Sequence, residues 1–161
     1  MLFKCIVGLM PLTSGSIQVN GRHIETGKTV PDDIGAIIET PGFLPNYSGF
    51  RNLKFLATLR GRIKDAEIRK AMQQVGLDPE SRKHVGKYSL GMRQRLGIAQ
   101  AIMEHPKLLV LDEPMNGLDN NGVREMRELF IALKKEGTTI LMATHSSDDV
   151  RELCDTVHEM D

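Results

Sequence analysis

Residues 107–144 constrain the fold more than any other part of the sequence. Residues 108–111 form a continuous apolar run, which is typical of a strand buried on both faces of a parallel sheet. A second apolar strand is predicted over residues 138–144. Between them lies an amphipathic helical pattern whose apolar face carries Val123, Met126, Leu129, Phe130 and Leu133. Strand, helix and strand in this order predict an α/β fold with a parallel sheet.

Polar residues follow each of these strands directly. Asp112 and Glu113 come after the first strand, and His145 comes after the second. Ligands of open α/β sheets bind at the carboxyl ends of the strands. An aspartate there can hold Mg²⁺, a neighbouring glutamate can orient or deprotonate a water, and a histidine can contact a terminal phosphate. From the residues alone, an ordinary acidic strand end and a structural histidine remain the alternatives.

Short apolar segments and turn signals alternate in the first fifty residues. Residues 2–10 predict the remainder of an apolar helix that ends at a proline. Residues 16–20 alternate like a strand, and Asn20-Gly21 is a strong hairpin signal. Residues 34–38 predict a buried strand that runs into a loop.

Helices dominate the middle of the chain. One is predicted over residues 52–59, and a second carries an apolar face that includes Ile68 and Met72. A third begins near Ser89 or Leu90. Its N-terminal amides can bind an anion, although a plain helix cap is the alternative. Beyond residue 144 the sequence predicts a last helix capped by Ser146 or Ser147, and then a strand entering at residues 156–161.

Composition limits the function classes. The chain has 161 residues, 40% of them hydrophobic, which suits one domain with a real core. Aromatic residues make up only 4%, and there is no Trp, so base-stacking platforms and nucleic-acid binding are disfavoured. Residues 51–100 carry 12 Lys and Arg against 4 Asp and Glu, whereas residues 101–161 carry 6 against 13. The basic middle suits an anionic membrane surface or an acidic partner, with a solvated helical face as the alternative.

In their order and spacing these segments resemble the nucleotide-binding subunit of ATP-binding-cassette (ABC) transporters. Residues 89–95, Ser-Leu-Gly-Met-Arg-Gln-Arg, resemble the family signature, and residues 108–113 resemble Walker B. Residues 116–119, Asn-Gly-Leu-Asp, resemble the D-loop, and residues 144–145 the switch histidine. The resemblance implies a P-loop NTPase-like parallel sheet core with a helical subdomain and a small β-subdomain. Approximate parts are residues 1–49, 50–105 and 106–161 of one incomplete domain.

The resemblance also implies ATP and Mg²⁺ as cofactors and a role for each site residue. Glu113 would position the attacking water, Asp112 would serve Mg²⁺, and His145 would sense the γ-phosphate. Glu39 would bind Mg²⁺ and would also sense the γ-phosphate. Ser89 and Gly91 would grip the γ-phosphate bound on a partner subunit, and the other residues implied to bind nucleotide are Leu90, Met92 and Asp119.

Partners and location follow from the same resemblance. The implied partners are a second nucleotide-binding subunit, identical or not, and transmembrane permease subunits whose coupling helix meets residues 39–49 and the helices after them. The implied location is cytoplasmic, peripheral on the inner face of the cell membrane. Two unpatterned cysteines suit the same reducing compartment.

Four departures from the family pattern carry information. Leu90 stands where a second signature glycine is usual, Met92 where a glutamine is usual, and Glu39 where the loop after the second strand usually carries glutamine. These features resemble the bacitracin-resistance and lantibiotic-immunity branch of peptide exporters. No segment matches the phosphate-binding Gly-x-x-x-x-Gly-Lys-[Ser/Thr] loop, so a truncated chain without the first strand, with very weak ATP binding, is expected.

The missing loop leaves the enzymatic assignment open. One alternative is a non-hydrolytic partner that lends its signature to an intact ATPase. Another is a soluble ABC protein of DNA maintenance or translation, which would need a coiled coil or a second cassette.

Overall fold

The structure, a computed structural model, describes residues 1–25 and 31–159. Its helices and strands follow one another in an order that the apolar patterns largely predict. In chain order they are α1 (Leu2–Ile6), β1 (Ile17–Val19), β2 (Arg22–Ile24), β3 (Ile34–Ile37), α2 (Gly49–Arg60), α3 (Asp65–Gln74), a 3₁₀ turn (Val85–Lys87), α4 (Leu90–Ile102), β4 (Leu108–Asp112), α5 (Asn120–Lys135), β5 (Thr139–Ala143) and α6 (Ser147–Leu153).

The central feature is a three-stranded parallel sheet in the order β3-β4-β5. Leu109, Val110 and Leu111 of the middle strand are wholly buried, as the continuous apolar run predicted. Strand β5 lies at an edge, where Leu141 is 37% exposed. Among the strands of the described residues, only β4 pairs with it. The parallel α/β core predicted from the sequence is therefore confirmed.

A separate antiparallel hairpin is formed by β1 and β2, with Ile17 opposite Ile24. Asn20 and Gly21 both have positive φ, of 51° and 75°, which is the geometry that an Asn-Gly hairpin turn requires. The hairpin, predicted from this pair, is confirmed. Its inner side chains share a small core with Val7, Ile34 and Val110.

Helix α1 is shorter than residues 2–10, so this prediction is wrong at its C-terminal end. The helix stops at Ile6 because Gly8 adopts a φ of 80°, and the amide of Leu9 turns back to the carbonyl of Lys4 at 2.8 Å. This is the usual way in which a left-handed glycine ends a helix, several residues before the proline.

The three helices of the middle segment are present as predicted, with α2 beginning earlier than residue 52. Ser48 caps α2, and its Oγ accepts a hydrogen bond from the amide of Arg51 at 3.3 Å. Helix α4 packs directly on β3. A Cβ added to Gly35 would lie 1.9 Å from the carbonyl oxygen of Ala101, so only glycine permits this close approach.

The C-terminal elements agree with the sequence prediction up to residue 153. Helix α5 buries Met126 and Phe130 against the sheet, and Ser146 caps α6, one of the two caps that the sequence predicted. The strand predicted from residue 156 is wrong over residues 156–159, where the backbone bends and then continues without regular structure, and Val157 is 55% exposed rather than packed in the core. Residues 160–161 lie outside the described residues. The boundaries at residues 49 and 105 stay a prediction, and within the described segments no helix is long and apolar enough to cross a membrane.

Candidate functional site

The carboxyl edge of the sheet brings two predicted site residues into contact. Asp112 ends β4, and the amide of Glu113 donates to the carbonyl of Ala143 at 2.9 Å, so the ladder with β5 continues one residue past the strand. His145 follows β5 after one further residue. Its Nε2 lies 3.3 Å from Oε1 of Glu113. The carboxylate is 27% exposed, whereas the imidazole is 98% exposed. The carboxylate is therefore partly shielded from solvent, and the imidazole projects into it.

The backbone at Glu113 is held in a strained conformation. Its φ is 47°, a left-handed value that few side chains other than glycine adopt readily. The carbonyl of Glu113 accepts from the amide of Asn116 at 3.1 Å. Strain of this kind persists only where the surroundings enforce it, and it is concentrated at functional sites.

Gln94, which the sequence analysis did not single out, supports this turn. It is buried, and its Nε2 donates to the carbonyl of Pro114 at 2.9 Å. A longer contact of 3.5 Å reaches the carbonyl of Glu113. A signal was available, because Gln94 is the polar residue on the helical face that continues through Ile98 and Ile102.

A second cluster surrounds the N-terminus of α4. The hydroxyl of Ser89 accepts from the amide of Met92 at 3.1 Å, which makes Ser89 the N-cap. Leu90 lies over Gly117, where an added Cβ would meet its Cγ at 2.5 Å. A Cβ on Gly91 would come within 2.9 Å of the carbonyl oxygen of Gly117. The signature-like segment and the D-loop-like segment are therefore in direct contact.

Asp119 ends the D-loop-like segment as the N-cap of α5. Its Oδ1 accepts from the amide of Gly122 at 2.8 Å. The plain capping alternative thus applies to both Ser89 and Asp119, and a nucleotide contact of either stays a prediction. Among the described residues, no hydrogen bond or ion pair joins Ser89 to Asp112, Glu113 or His145. The two clusters are instead linked through the bond from Asn116 to the carbonyl of Glu113 and through Gln94.

Glu39 lies in the loop after β3, where it has a φ of 62°. Nζ of Lys4, from α1, lies 2.5 Å from Oε1 of Glu39. The hydrogen bond from Lys4, and then its positive charge, hold the pKa of Glu39 below its ordinary value. Lys4 was missed from the sequence, although it is the only charged residue of an otherwise apolar helix. It offsets the negative charge that glutamate introduces at this position.

The acidic residues suit a magnesium ion that phosphates help to hold. Asp112 is half-buried at the strand end, and Glu39 is exposed at the end of the neighbouring strand. The described residues contain no group of three or more His, Cys, Asp and Glu arranged to hold a metal alone. Mg²⁺ commonly takes one or two carboxylates and completes its shell with water and phosphate oxygens. The donor set therefore fits Mg²⁺ bound together with a nucleotide.

Three curated relatives match nearly the whole of this chain. The uncharacterized ABC transporter ATP-binding protein YdbJ of Bacillus subtilis (strain 168) is 44% identical over 158 residues, or 97% of this chain and 51% of that protein. The bacitracin transport ATP-binding protein BcrA of Enterococcus faecalis is 45% identical over 159 residues, 98% of this chain and 52% of that protein. The lantibiotic transport ATP-binding protein SrtF of Streptococcus pyogenes is 40% identical over 156 residues, 97% and 67% respectively.

The chain spans about half the length of the first two relatives. Among solved structures, the dimeric post-hydrolysis state of the ATP-binding cassette MJ0796 bound to ADP and Pi matches with a TM-score of 0.80 and 18% identity. The match covers 94% of this chain and 71% of that one, and it shows the shared fold. A protein-family model described as ABC transporter matches residues 1–116. The chain belongs to the ABC transporter family.

Proposed function

We propose that this chain is the nucleotide-binding part of an ABC transporter that couples ATP hydrolysis to export, with peptide antibiotics as the substrates. The observation that carries the hydrolytic part is the 3.3 Å contact between Glu113 and His145, directly beside Asp112. The substrate class rests on relatives described as bacitracin and lantibiotic transport proteins.

The side chains at the sheet edge divide the work by their chemistry. When bound, magnesium and ATP supply the labile phosphoanhydride bond and a cation that neutralises charge on the phosphates. Asp112 offers carboxylate oxygens to the metal. Glu113 accepts a hydrogen bond from a water and so orients it for attack. His145 reaches the same place from β5 and offers a nitrogen to a phosphate oxygen or to the carboxylate of Glu113.

Glu39 and Lys4 adapt this edge to an acidic loop residue. A carboxylate near phosphates raises the cost of nucleotide binding through like-charge repulsion. Lys4 supplies the compensating charge, so Glu39 can serve the metal without a net negative charge in the loop.

The second cluster is proposed to act on nucleotide held by another subunit. Leu90 is 56% exposed, and the N-terminus of α4 opens to solvent beside Gly117. Backbone amides at such a helix end bind phosphate groups well. Ser89, Gly91 and Met92 would face the phosphates of nucleotide bound on the partner. In the same way, the α4 end of the partner, a second copy of the chain or a related subunit, would face nucleotide bound at the sheet edge of this chain.

A permease contact is proposed on the surface formed by residues 39–49 and α2. Leu44, Tyr47 and Phe55 are all exposed there, and the rings of Tyr47 and Phe55 pack edge to face with centroids 5.2 Å apart. Clustered exposed apolar side chains mark interaction sites on soluble proteins. Binding to permease subunits through this surface would hold the protein on the inner face of the membrane.

The test is a Glu113→Gln substitution in the protein as produced in its own cells, assayed with its membrane partner. Turnover of ATP should fall by at least about 100-fold, as expected when a general base is lost, while ATP binding is retained. Glu128→Gln, at a helix position remote from the sheet edge, is the matched control. Near-normal hydrolysis in Glu113→Gln contradicts the proposed role.

The substrate class needs a test in cells. Deleting the gene for this chain should lower the concentration of bacitracin or of a lantibiotic that stops growth, and the wild-type gene should restore it while Glu113→Gln should not. Unchanged sensitivity to both kinds of peptide would remove peptide antibiotics from the proposal without touching the hydrolytic part.

A further inference from the structure

A buried carboxylate lies below the turn that carries His145. Asp149 is only 1% exposed, although it belongs to the short surface helix α6. Burying a charged group costs several kcal/mol unless it is paired and hydrogen-bonded. A carboxylate in such a position therefore needs partners, and those partners show what it holds in place.

Each oxygen of Asp149 has a partner from a different element. Arg127 of α5 approaches Oδ1 with its Nε at 2.8 Å and its Nη2 at 2.6 Å. The hydroxyl of Thr144, directly after β5, donates to Oδ2 at 3.2 Å. Asp149 thus links helix α5 to the end of β5 through its side chain.

Two hydroxyl groups, those of Thr144 and Ser146, determine the path of the backbone around His145. The Oγ1 of Thr144 accepts from the amide of Ser146 at 3.1 Å, and Oγ of Ser146 accepts from the amide of Asp149 at 3.2 Å. The first bond spans His145, and the second fixes the residues that follow it. They leave the turn little freedom as long as the Thr144 hydroxyl is kept in place.

His145 itself has no packing that could position its ring. Its side chain is 98% exposed, and its one polar contact with the described residues is the 3.3 Å approach to Glu113. The location of the ring therefore depends on the backbone of residues 144–146. That backbone depends in turn on the hydroxyl that Asp149 orients.

We propose that Asp149, held by Arg127, is a positioning residue that keeps the turn of residues 144–146 in the shape that lets His145 reach Glu113. The catalytic importance of this contact rests on the proposed function, but the positioning itself does not. Glu152 makes the contrast clear, because it also contacts Arg127, at 3.2 Å, yet in the described part of the chain it has no bond to the turn.

The experiment is histidine-labelled NMR on the full chain, with the His145 ring signal assigned by its loss in His145→Gln. Replacing Glu113 by Gln should shift the His145 signal, because it removes a charge 3.3 Å from Nε2. In an Asp149→Asn background the same replacement should produce a shift roughly threefold smaller or less, since charge effects in water fade quickly with distance. Glu152→Gln is the matched control and should keep the full shift.

A second pair of variants guards against simple unfolding of Asp149→Asn. Thr144→Val removes the hydroxyl but leaves the ion pair between Arg127 and Asp149, and it should reduce the shift in the same way. Thr144→Ser restores the hydroxyl and should restore the shift. If Thr144 only filled space, the shift of the His145 signal would not be lost in Thr144→Val and regained in Thr144→Ser.

The outcomes separate this inference from the proposed function. A full His145 response in both Asp149→Asn and Thr144→Val overturns the inference, and so does the absence of any response to Glu113→Gln in the wild-type background. None of these readouts requires ATP or its hydrolysis. Failure of the hydrolysis test would leave the positioning result standing, and the reverse is equally true.

Discussion

The sheet edge around Glu113 and the N-terminus of α4 around Ser89 differ in what they can do alone. The edge combines a carboxylate, an imidazole and a second carboxylate from Asp112 on a buried parallel ladder. The α4 end offers a hydroxyl and backbone amides, and none of Ser89, Leu90, Gly91 and Met92 carries a titratable side chain. The first region has groups that can act on a water, whereas the second can only bind an anion.

Their backbones differ in the same sense. Glu113 has a φ of 47°, which is costly for a glutamate, whereas Ser89 has a φ of −64° and a ψ of 166°, the ordinary conformation of a helix cap. Gln94 of α4 holds the strained turn in place through its hydrogen bond to the carbonyl of Pro114. The comparison teaches that α4 contributes to both regions: its first turn forms one, and its second turn supports the other.

After Glu113→Gln, the largest expected effect comes from removing the imidazole of the edge. His145→Ala should lower ATP turnover by about 100-fold, the lower end of the range for acid–base groups, with ATP binding retained. The exposed His84, outside both regions, gives the control His84→Ala. Equal losses in the two variants would break the distinction between the edge and the rest of the surface.

A second prediction concerns the contact between α4 and the D-loop-like segment. Gly91→Ala places a Cβ 2.9 Å from the carbonyl oxygen of Gly117, so the free energy of unfolding should fall by up to about 3 kcal/mol, as overpacking usually costs. Denaturant unfolding measures it. At Gly42 an added Cβ meets nothing within 4 Å, so Gly42→Ala should leave the midpoint almost unchanged. Similar losses at both positions would mean that the close contact does not exist in solution.

Gln94 provides a smaller effect that couples the two regions. Gln94→Leu leaves the buried carbonyl of Pro114 without its donor, and this should cost about 1–2 kcal/mol of stability. Gln74 is exposed on α3, and Gln74→Leu serves as the control. Since the turn at Glu113 loses its support, ATP turnover should also fall, even under conditions in which the variant remains folded. An unchanged turnover in a folded Gln94→Leu protein would contradict the supporting role.

The smallest effect is expected at the exposed pair of Lys4 and Glu39. Because the pKa of Glu39 is lowered in the fold, the pair stabilises the protein above the ordinary glutamate pKa and loses this contribution as the pH falls through the lowered value. In Lys4→Met the pKa of Glu39 should rise toward the ordinary value. NMR titration of labelled glutamate measures it, with Lys70→Met as the control, and an unchanged midpoint would show that the pair does not form in solution.

Much of the fold could be predicted because apolar periodicity reports burial directly. Of the run at residues 108–111, residues 109–111 are buried on both faces, and the Asn20-Gly21 pair makes the turn that its backbone preferences favour. The wrong strand at residues 156–159 shows the limit, because a strand needs a neighbour that no local pattern supplies. Helix α1 ends early for a different reason: a left-handed glycine acts before the proline does.

The candidate site was predicted in its titratable residues and missed in its supports. Glu113 and His145 follow strands, so the shared edge of a parallel sheet brings them together. Gln94, Lys4 and Asp149 act through contacts between residues far apart in sequence, and their bonds depend on how the helices cross the sheet. The left-handed backbone of Glu113 also has no local sequence signal, because glutamate rarely adopts it.

The most direct test of the account is a mixing experiment with two inactive variants of the protein as produced in its own cells. Ser89→Arg blocks the α4 end, and Glu113→Gln disables the sheet edge. If the two regions act on one nucleotide from opposite subunits, mixed dimers keep one intact site, and random mixing should recover roughly a quarter of wild-type ATP turnover. No recovery above the separate variants, with mixed dimers present, would contradict the account.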